Sequence, residues 1–494
     1  MNILSDRFSE IKKASEPLYR TPKSVQETVE ILKISEGGIF EVAEGRYSKT
    51  YRFSDVNYAT RTENEQESFF QKYCKCLNSF DCTFKITVNN KNRDMEALRN
   101  EVMLGLRKDG FDEMRESYNR IIEEKILEGR QGIEQERYIT VTVKRKNFEE
   151  AKAQFATIES TMFKSFAELG SRLTLLSGNE RLRILHDYYR LGREDEFNFD
   201  IKKGRITGTD FANEICNSSI KYYPNCFEDE GKVGRVLFIK KYPTYLSDRF
   251  FTELTFLPVH SITSVDVVPV PKDLTMKMLQ KKYLGIESDI IKQQRTRNRN
   301  NDFSSDISYA TRQKKRDIEE IMNNVRENDE SLFYVSVTMI VMAESRKELN
   351  SMCKTIDSIA KGAGCAVDTC MYKQREAVNT TLPIGVRQIE TMRTMLTQSL
   401  AVLMPFNVQE LCDRDGIYYG VNQISRNIIV GNRKKLLNGN GFIFGVSGAG
   451  KSFQAKMEMG SVLLSTDDNV IAVDPMNGAK RSYLKRVGAI FIKL

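Results

Sequence analysis

The stretch GFIFGVSGAGKS, residues 441–452, carries the strongest structural signal in the sequence. It satisfies the pattern G-x-x-x-x-G-K-[ST] from Gly445 to Ser452, which is the signature of a phosphate-binding loop. The apolar run before the loop predicts a buried strand at 441–444, and residues 451–464 predict a helix. A strand, a glycine-rich loop and a helix N-terminus in this order can hold phosphate groups.

Each position in this loop suits phosphate chemistry. Gly445, Gly448 and Gly450 lack a Cβ atom, so the backbone can aim successive N–H groups at phosphate oxygens. Lys451 can reach the β- and γ-phosphates of ATP, and the Ser452 hydroxyl can complete the shell of Mg²⁺. The predicted ATP-binding residues are Gly445, Val446, Ser447, Gly448, Ala449, Gly450, Lys451, Ser452 and Phe453.

A second buried strand, NVIAVDP, is predicted at 469–475. Asp474 at its end has two interpretations: a Walker B-type carboxylate that binds Mg²⁺ through water, or a polar residue at a strand terminus facing the site. No carboxylate follows it to activate water, which favours the second interpretation.

Composition and length predict more than one folded domain. The chain has 494 residues, of which 40% are hydrophobic and 29% are charged; this composition excludes a disordered protein and suits a globular one. No stretch approaches the roughly 18 apolar residues that cross a bilayer, and the N-terminus is too polar for a signal peptide. We therefore expect a cytoplasmic protein.

The charge distribution is uneven. The net charge of +8 is modest for the length and does not by itself indicate nucleic-acid binding. Residues 431–494, however, contain ten Lys or Arg against four Asp or Glu, a local charge of +6. Such an excess suits a domain that handles phosphate, and it would also arise if an acidic remainder of the domain were missing.

The nine cysteines and two histidines do not predict a metal site. Cys74, Cys76 and Cys82 lie close together but lack the C-x2-C spacing of structural zinc sites. The cysteine density is also below that of secreted disulfide scaffolds. We expect reduced thiols.

The region before the loop shows the order β-α-β-α-β twice. A hairpin, GIFEVAEGRYSKTYRF at 38–53, opens the first series. The first series comprises strands at 82–88, 138–143 and 172–176 and helical regions at 95–127 and 148–169. The second comprises strands at 262–270, 332–342 and 365–371 and helical regions at 274–326 and 344–363. Two ferredoxin-like halves related by duplication would explain the recurrence, and so would the general self-similarity of alternating α/β proteins.

The most polar and basic stretch is KQQRTRNRNNDFSSDISYATRQKKR at 292–316. It fits a solvated face of a helical hairpin, and it also fits a surface that presents arginines to phosphates. It lacks the interleaved aromatic residues that would support base stacking.

With these segments in view, the sequence resembles one protein family. Between residues 401 and 474, the segments AVLMPF, DGIYYGVN, LNGNGFIFGVSGAGKSF and VIAVDP resemble the entry to the motor domain of VirB-type (TraE/TrbE-type) conjugal-transfer ATPases of type IV secretion systems. Upstream, GIFEVAEGRYSKTYRF and ELTFLPVHSITSVDVVPVP resemble the N-terminal domain of that family. The resemblance covers nearly the whole chain.

The resemblance implies an α/β chain in four parts: an N-terminal α+β half at 1–200, a second α+β half at 201–375, a helical linker at 376–410, and the truncated start of a RecA-like P-loop NTPase domain at 411–494. It implies ATP and Mg²⁺ as cofactors and a homo-oligomer, often a hexamer, when full length. It also implies docking on type IV secretion channel subunits at the inner face of the cell membrane, and it leaves direct contact with DNA open.

Two departures from the family limit the expected activity. The family commonly has an acidic-aromatic pair after the Asp-Pro dipeptide, where this chain has Gly478 and Ala479. The chain ends 43 residues after Lys451, before the Walker B strand and arginine finger that the family carries later. We therefore expect ATP binding without hydrolysis by this chain alone. The alternatives are an FtsK/HerA-type DNA-pumping ATPase or another P-loop class such as a kinase, and a non-enzymatic docking or assembly remnant of the secretion ATPase.

Overall fold

The computed structural model describes residue 22 and residues 24–92, 95–128, 133–243, 245–299, 309–327, 330–413, 416–423, 427–473 and 490–492. These residues form 17 β-strands and 14 α-helices, and most of the strands belong to one large antiparallel sheet. Within the same residues, no helix has the length and apolar character needed to span a membrane.

The strands are β1 Lys33–Ile34, β2 Ile39–Ala43, β3 Arg46–Phe53, β4 Thr83–Asn92, β5 Ile133–Lys144, β6 Leu173–Leu175, β7 Ile220–Tyr222, β8 Phe227–Asp229, β9 Lys232–Lys241, β10 Ser261–Val270, β11 Leu332–Ala343, β12 Ala366–Thr369, β13 Arg393–Leu396, β14 Ile417–Val421, β15 Ile428–Gly431, β16 Ile471–Val473 and β17 Ile490–Ile492.

The helices are α1 Glu63–Asn78, α2 Met95–Val102, α3 Asp112–Glu128, α4 Phe148–Leu169, α5 Gly178–Tyr189, α6 Ile201–Thr207, α7 Phe211–Ile215, α8 Arg249–Thr255, α9 Lys272–Arg299, α10 Tyr309–Glu327, α11 Arg346–Gly362, α12 Gln374–Thr381, α13 Thr397–Ala401 and α14 Lys451–Ser465.

Thirteen strands form the antiparallel sheet, whose main path is β1-β2-β3-β5-β4-β10-β11-β9-β8-β7. Off this path, β6 pairs with β3, β12 with β9 and β13 with β11. Two groups of four strands therefore have matching orders, β6-β3-β5-β4 and β12-β9-β11-β10. The two groups meet where β4 pairs with β10, so they share one continuous sheet.

Several sequence predictions are confirmed at the level of single elements. The hairpin at 38–53 forms as β2 and β3, and the helix predicted at 148–169 has those bounds as α4. Asn147 caps the start of α4 by accepting the N–H of Glu150, and Gly170 ends it in the left-handed conformation at φ 79°. Local capping chemistry therefore determines both ends of this helix.

The helical region predicted at 95–127 is instead two helices, α2 and α3, separated by residues 103–111. Gly105 and Gly110 lie in this break, and Gly110 has a φ of 88° that continues no right-handed helix. The following Asp112 accepts the N–H groups of Arg107 and Lys108 at 2.9 Å. The turn is therefore held by its own side chains.

One face of the sheet is covered by helices α1, α4, α8 and α11, which enclose the larger apolar core. Phe406, from the chain after α13, lies at the centre of an aromatic group in this core. Its ring contacts those of Phe53, Phe69 and Tyr73 in edge-to-face geometry, with centroids 5.4–5.7 Å apart. The chain that leads toward the glycine-rich loop is thus part of this core.

The opposite face is partly polar, and an extended segment crosses it. This segment, residues 382–392, is called the strap here; it has neither helix nor strand. Its carbonyl groups accept hydrogen bonds from buried side chains of the sheet, which replace the pairing that a strand would have. The bonds run from Thr50 and Thr140 to Pro383, from Thr142 to Gly385, and from Lys85 to Leu382 and Val386, at 3.0–3.3 Å.

Residues 376–410, predicted as a helical linker, are built into the sheet domain instead. They contain the end of α12, the strap, β13 paired with β11, and the short helix α13. After α13, the buried carboxylate of Asp55 accepts the N–H groups of Asn407 and Val408, at 2.8 and 3.3 Å. Arg137 pairs with Asp55 at 2.5 Å and donates to the carbonyl of Pro405 at 2.6 Å. This ion pair fixes the path by which the chain leaves the sheet.

Candidate functional site

The glycine-rich loop forms a tight turn that leads directly into α14. The N–H of Ala449 donates to the carbonyl of Val446 at 3.2 Å. Gly448 and Gly450 have φ values of 83° and 85°, and a Cβ at either position would meet nothing within 4 Å. The backbone conformation, and not a lack of space, therefore makes glycine the favoured residue at both positions.

The N-terminus of α14 has the properties of an anion site. Gly450 is its N-cap and supplies no side-chain hydrogen bond, and no acidic residue lies in the first turn. In the described part of the chain, the N-cap therefore offers no side-chain acceptor to the first N–H groups of the helix, and the first turn has no carboxylate to offset the positive end of the dipole. Both features favour a phosphate group at this end.

Lys451 folds back over the loop. Its ammonium donates to the carbonyl oxygens of Gly445 at 2.5 Å and Val446 at 2.8 Å. These bonds hold the cation at the loop. Ser452 and Phe453, the other predicted ligands after the glycines, are exposed on the first turn of α14.

The strand predicted before the loop at 441–444 is not formed, and this prediction is wrong for the structure described. Residues 441–444 have no strand partner among the described residues and are exposed. Phe442 and Phe444 are 82% and 87% exposed and stack on each other with centroids 5.8 Å apart. A strand exists only when a neighbour pairs with it, so the apolar sequence alone does not produce one.

The strand predicted at 469–475 is present as β16, three residues long, and it pairs in parallel with β17. Parallel strands require a crossover connection of a dozen or more residues, and 16 residues separate Val473 from Ile490 in the sequence. Asp474 lies outside the described residues, so its position relative to the loop is not described.

The far end of α14 is held by the helical insertion between β4 and β5. Arg115 on α3 is fully buried and donates from Nε to the carbonyl of Leu464 at 3.2 Å. Its other nitrogens bind Asp109 and Asp112 at 2.6–2.8 Å. Arg107 bonds the carbonyl of Ser465 at 2.9 Å. Cationic donors at the C-terminal carbonyls satisfy groups that the helix leaves unpaired.

Arg107 also pairs with Asp467, at 2.6 Å, just beyond the end of α14. The apolar contacts are continuous with these polar ones, because Leu464 packs with Leu104, Phe111 and Met114 of the insertion. The same insertion packs against β14 and β15, where Ile428 and Val430 are buried. The loop and its helix are therefore attached to the sheet domain through α2 and α3.

The sequence did not point to Arg107 or Arg115. The spacing of Asp112 and Arg115 at i and i+3 suits a local ion pair on a helix, and that pair is present. The bond from Arg115 to Leu464, however, joins positions 349 apart in the chain. Only the fold brings them together.

The cysteines form neither disulfides nor a metal cluster among the described residues. None of the nine forms a disulfide, and burial raises the pKa of the Cys74 and Cys76 thiols to about 12. The described residues contain no group of three or more His, Cys, Asp or Glu side chains placed to hold a metal ion. His260 is largely buried, and burial lowers its pKa.

No protein-family model matches the sequence, and no curated protein is significantly similar to it. The residues of the loop, its helix and their supports are therefore the basis for assigning a function.

Proposed function

We propose that this chain is the ATP-binding energising subunit of a conjugative type IV secretion machine, in a form that binds Mg²⁺ and ATP at residues 445–453 but does not hydrolyse ATP alone. The observation that carries the binding part is the junction at Gly450. There a left-handed glycine opens an uncapped helix, and the ammonium of Lys451 lies on the loop that precedes it.

On binding, the nucleotide would replace hydrogen bonds that the loop now makes within itself. The phosphates would take the Lys451 ammonium from the carbonyls of Gly445 and Val446. The N–H groups at the start of α14 would donate to the phosphate oxygens, and the exposed hydroxyl of Ser452 would contribute to the shell of Mg²⁺. The ammonium would then face charged phosphate oxygens in place of neutral carbonyls, which strengthens the interaction.

Hydrolysis needs more groups than binding does. A carboxylate must orient the attacking water, and an arginine commonly stabilises charge in the transition state. Asp474 is the candidate carboxylate that the sequence offers near the loop. We assign binding to residues 445–453 and no turnover to the chain by itself.

For the fold, we propose two ferredoxin-like halves related by duplication, followed by the start of a RecA-like domain. The matching strand orders support duplication. So do the similar sequences of the equivalent strands β5 and β11, YITVTV at 138–143 and YVSVTM at 334–339. In both halves the next helix is followed by a left-handed glycine, Gly170 or Gly364, with φ 79° and 73°. The parallel pair β16–β17 supports a P-loop sheet.

For the setting, we propose a cytoplasmic location with peripheral attachment to the inner face of the membrane. There the chain would contact type IV secretion channel subunits and assemble as a homo-oligomer, a hexamer when full length. A docking or assembly role without enzymatic activity is the second candidate. The exposure of Phe442 and Phe444 beside the loop favours it, because apolar rings in the open mark contact surfaces.

The direct test is ATP binding by the full chain, measured by calorimetry with and without Mg²⁺. We expect Lys451→Ala to weaken binding about 10- to 100-fold, since it removes one charge-assisted contact to phosphate. Lys456→Ala, which removes a lysine one turn further along the same helix, is the matched control and should bind as the wild type does. Equal binding by wild type and Lys451→Ala would contradict the proposed site.

A further inference from the structure

The outer face of α9 carries a stripe of basic and aliphatic side chains. The stripe consists of Lys277, Lys281, Leu284, Ile291 and Arg295, all of them exposed. Their spacings of four, three, seven and four residues place them on one side of the helix. At about 1.5 Å per residue, the stripe is about 27 Å long. Leu284 and Ile291 are 62% and 48% exposed, which is high for aliphatic residues on a packed helix.

The opposite side of α9 is packed, which fixes the direction of the stripe. Thr275 and Leu279 are buried near the base of the helix. Further along, Glu287 accepts a hydrogen bond from Lys315 of α10 at 3.1 Å. The same ammonium lies 5.1 Å from the ring centroid of Tyr283. The stripe therefore faces away from α10.

The acidic residues of α9 neutralise the stripe only in part. Asp273 is exposed one turn before Lys277 on the same side of the helix. Glu287 lies on the packed side, where its ion pair with Lys315 lowers its pKa. Asp289 is displaced from the middle of the stripe by about 120° around the helix. The stripe thus presents three cations and two aliphatic side chains together.

We propose that this stripe binds the surface of an anionic lipid bilayer. The inference deepens the peripheral membrane location proposed above and rests on it for its setting. Lysine and arginine near such a surface are attracted by acidic headgroups, and exposed leucine and isoleucine gain free energy by entering the interface. The helix lies on the bilayer and does not cross it.

The aliphatic residues of the stripe favour a lipid bilayer over nucleic acid as the partner. A phosphate backbone would satisfy the three cations but would leave Leu284 and Ile291 in water. The stripe also has no aromatic side chain on which a base could stack. A bilayer interface accommodates both kinds of side chain at once.

The test is flotation of the full chain, without nucleotide, on vesicles of phosphatidylcholine alone or mixed with phosphatidylglycerol. We expect binding to the anionic vesicles only, weakening with salt. Lys277→Gln/Lys281→Gln/Arg295→Gln should lower affinity about 100-fold, since each cation near the surface contributes roughly a factor of five. Arg312→Gln/Lys314→Gln/Arg316→Gln on α10 is the control for charge alone and should lower it much less.

A second variant, Leu284→Ser/Ile291→Ser, keeps every charge and should also weaken vesicle binding, while its thermal unfolding stays as in the wild type. Ile206→Ser, at an exposed residue of α6, is its control. Absence of binding to anionic vesicles would overturn the proposal. It would also be overturned if the protein bound duplex DNA tightly, the triple Gln variant lost that binding and the Ser variant kept it. Lys451→Ala should leave flotation unchanged. A failure of the vesicle-binding proposal can therefore be distinguished from a failure of the proposed ATP site.

Discussion

The Nε atom of Arg115 donates to the backbone carbonyl of Leu464 at 3.2 Å, and this bond joins an insertion of the sheet domain to the helix that follows the glycine-rich loop. Arg115 is 1% exposed, and Asp109 and Asp112 hold the rest of its guanidinium. In return, the bonds from Arg115 lower the pKa of Asp109. The C-terminal end of α14 is thereby fixed to the sheet domain, whereas the loop at its N-terminal end is exposed.

We expect Arg115→Leu to lower the free energy of unfolding by about 2–3 kcal/mol, because it removes a buried charged donor from three partners. Arg120→Leu on the same helix replaces an exposed arginine and should change it by less than about 0.5 kcal/mol. Urea unfolding of both variants measures the difference. Equal effects would show that the contact with α14 contributes nothing to stability.

The second prediction concerns Lys85 and Asp266, which are paired across β4 and β10 where the two groups of strands meet. Their side chains are 3% exposed, with Nζ and Oδ2 3.8 Å apart. Lys85→Met should destabilise the protein by about 3–5 kcal/mol, because it removes the buried ammonium and leaves the carboxylate beside the partly exposed Arg387, whose Nη1 lies 3.6 Å from Oδ1. Lys85→Met/Asp266→Leu should recover much of this loss.

Lys91→Met on the same strand is the control, since Lys91 is 27% exposed and its ion pair with Glu136 lies near solvent. Lys91→Met should lower the free energy of unfolding by less than about 1 kcal/mol. The measurement is a double-mutant cycle in urea. A double variant less stable than Lys85→Met would mean that the charge of Asp266 is satisfied without Lys85.

The third prediction concerns the strap at Gly385, where φ is 92°. A Cβ there would lie 2.6 Å from Thr142 Oγ1 and 2.7 Å from Ser48 Cβ. We expect Gly385→Ala to cost about 3 kcal/mol or more, because it combines left-handed strain with a clash in a buried polar layer. Gly208→Ala has a φ of 72° and open space around the new methyl group, so it should show the strain alone, about 1–2 kcal/mol. Thermal unfolding of the two variants compares them, and similar losses of stability would mean that the close contacts at Gly385 add nothing to the left-handed strain.

The fourth prediction is a pH dependence at Asp229, which is buried beside Asn217. Burial raises the pKa of Asp229 to about 7, whereas in the unfolded chain it is about 4. The folded state thus binds more protons, and the stability from this group is present below about pH 4 and lost as the pH rises through about 7.

Asp229→Asn should therefore be the more stable protein at pH 8, by up to about 4 kcal/mol, with little difference at pH 4. The amide can still accept the bond that Asn217 Nδ2 makes to Asp229 at 2.7 Å. Asp195→Asn, at an exposed residue, should not change the pH profile. Urea unfolding at several pH values checks this, and parallel profiles for wild type and Asp229→Asn would contradict the shift.

The elements that sequence reasoning predicted are those whose causes lie within a few residues. The bounds of α4 follow from Asn147 and Gly170, and the hairpin of β2 and β3 follows from alternation around Gly45. The strap and the Lys85–Asp266 pair were not predicted, because their partners are far apart in the chain. At residues 441–444 the local sequence was misleading. The apolar run predicted a buried strand, but the run is exposed and no described strand pairs with it.

The last prediction separates ATP binding from ATP turnover. The loop and the first turn of α14 supply donors for phosphate and a hydroxyl for Mg²⁺, but they supply no base and no arginine for the transition state. We therefore expect single-turnover phosphate release by the full chain to match that of Lys451→Ala, although the wild type binds Mg²⁺ and ATP weakly and the variant binds them more weakly still. The comparison uses saturating protein, so that weak binding does not limit the signal. Phosphate release well above the Lys451→Ala level, and abolished by Asp474→Asn, would contradict this account, because it would make Asp474 a catalytic metal partner and the chain an ATPase in its own right.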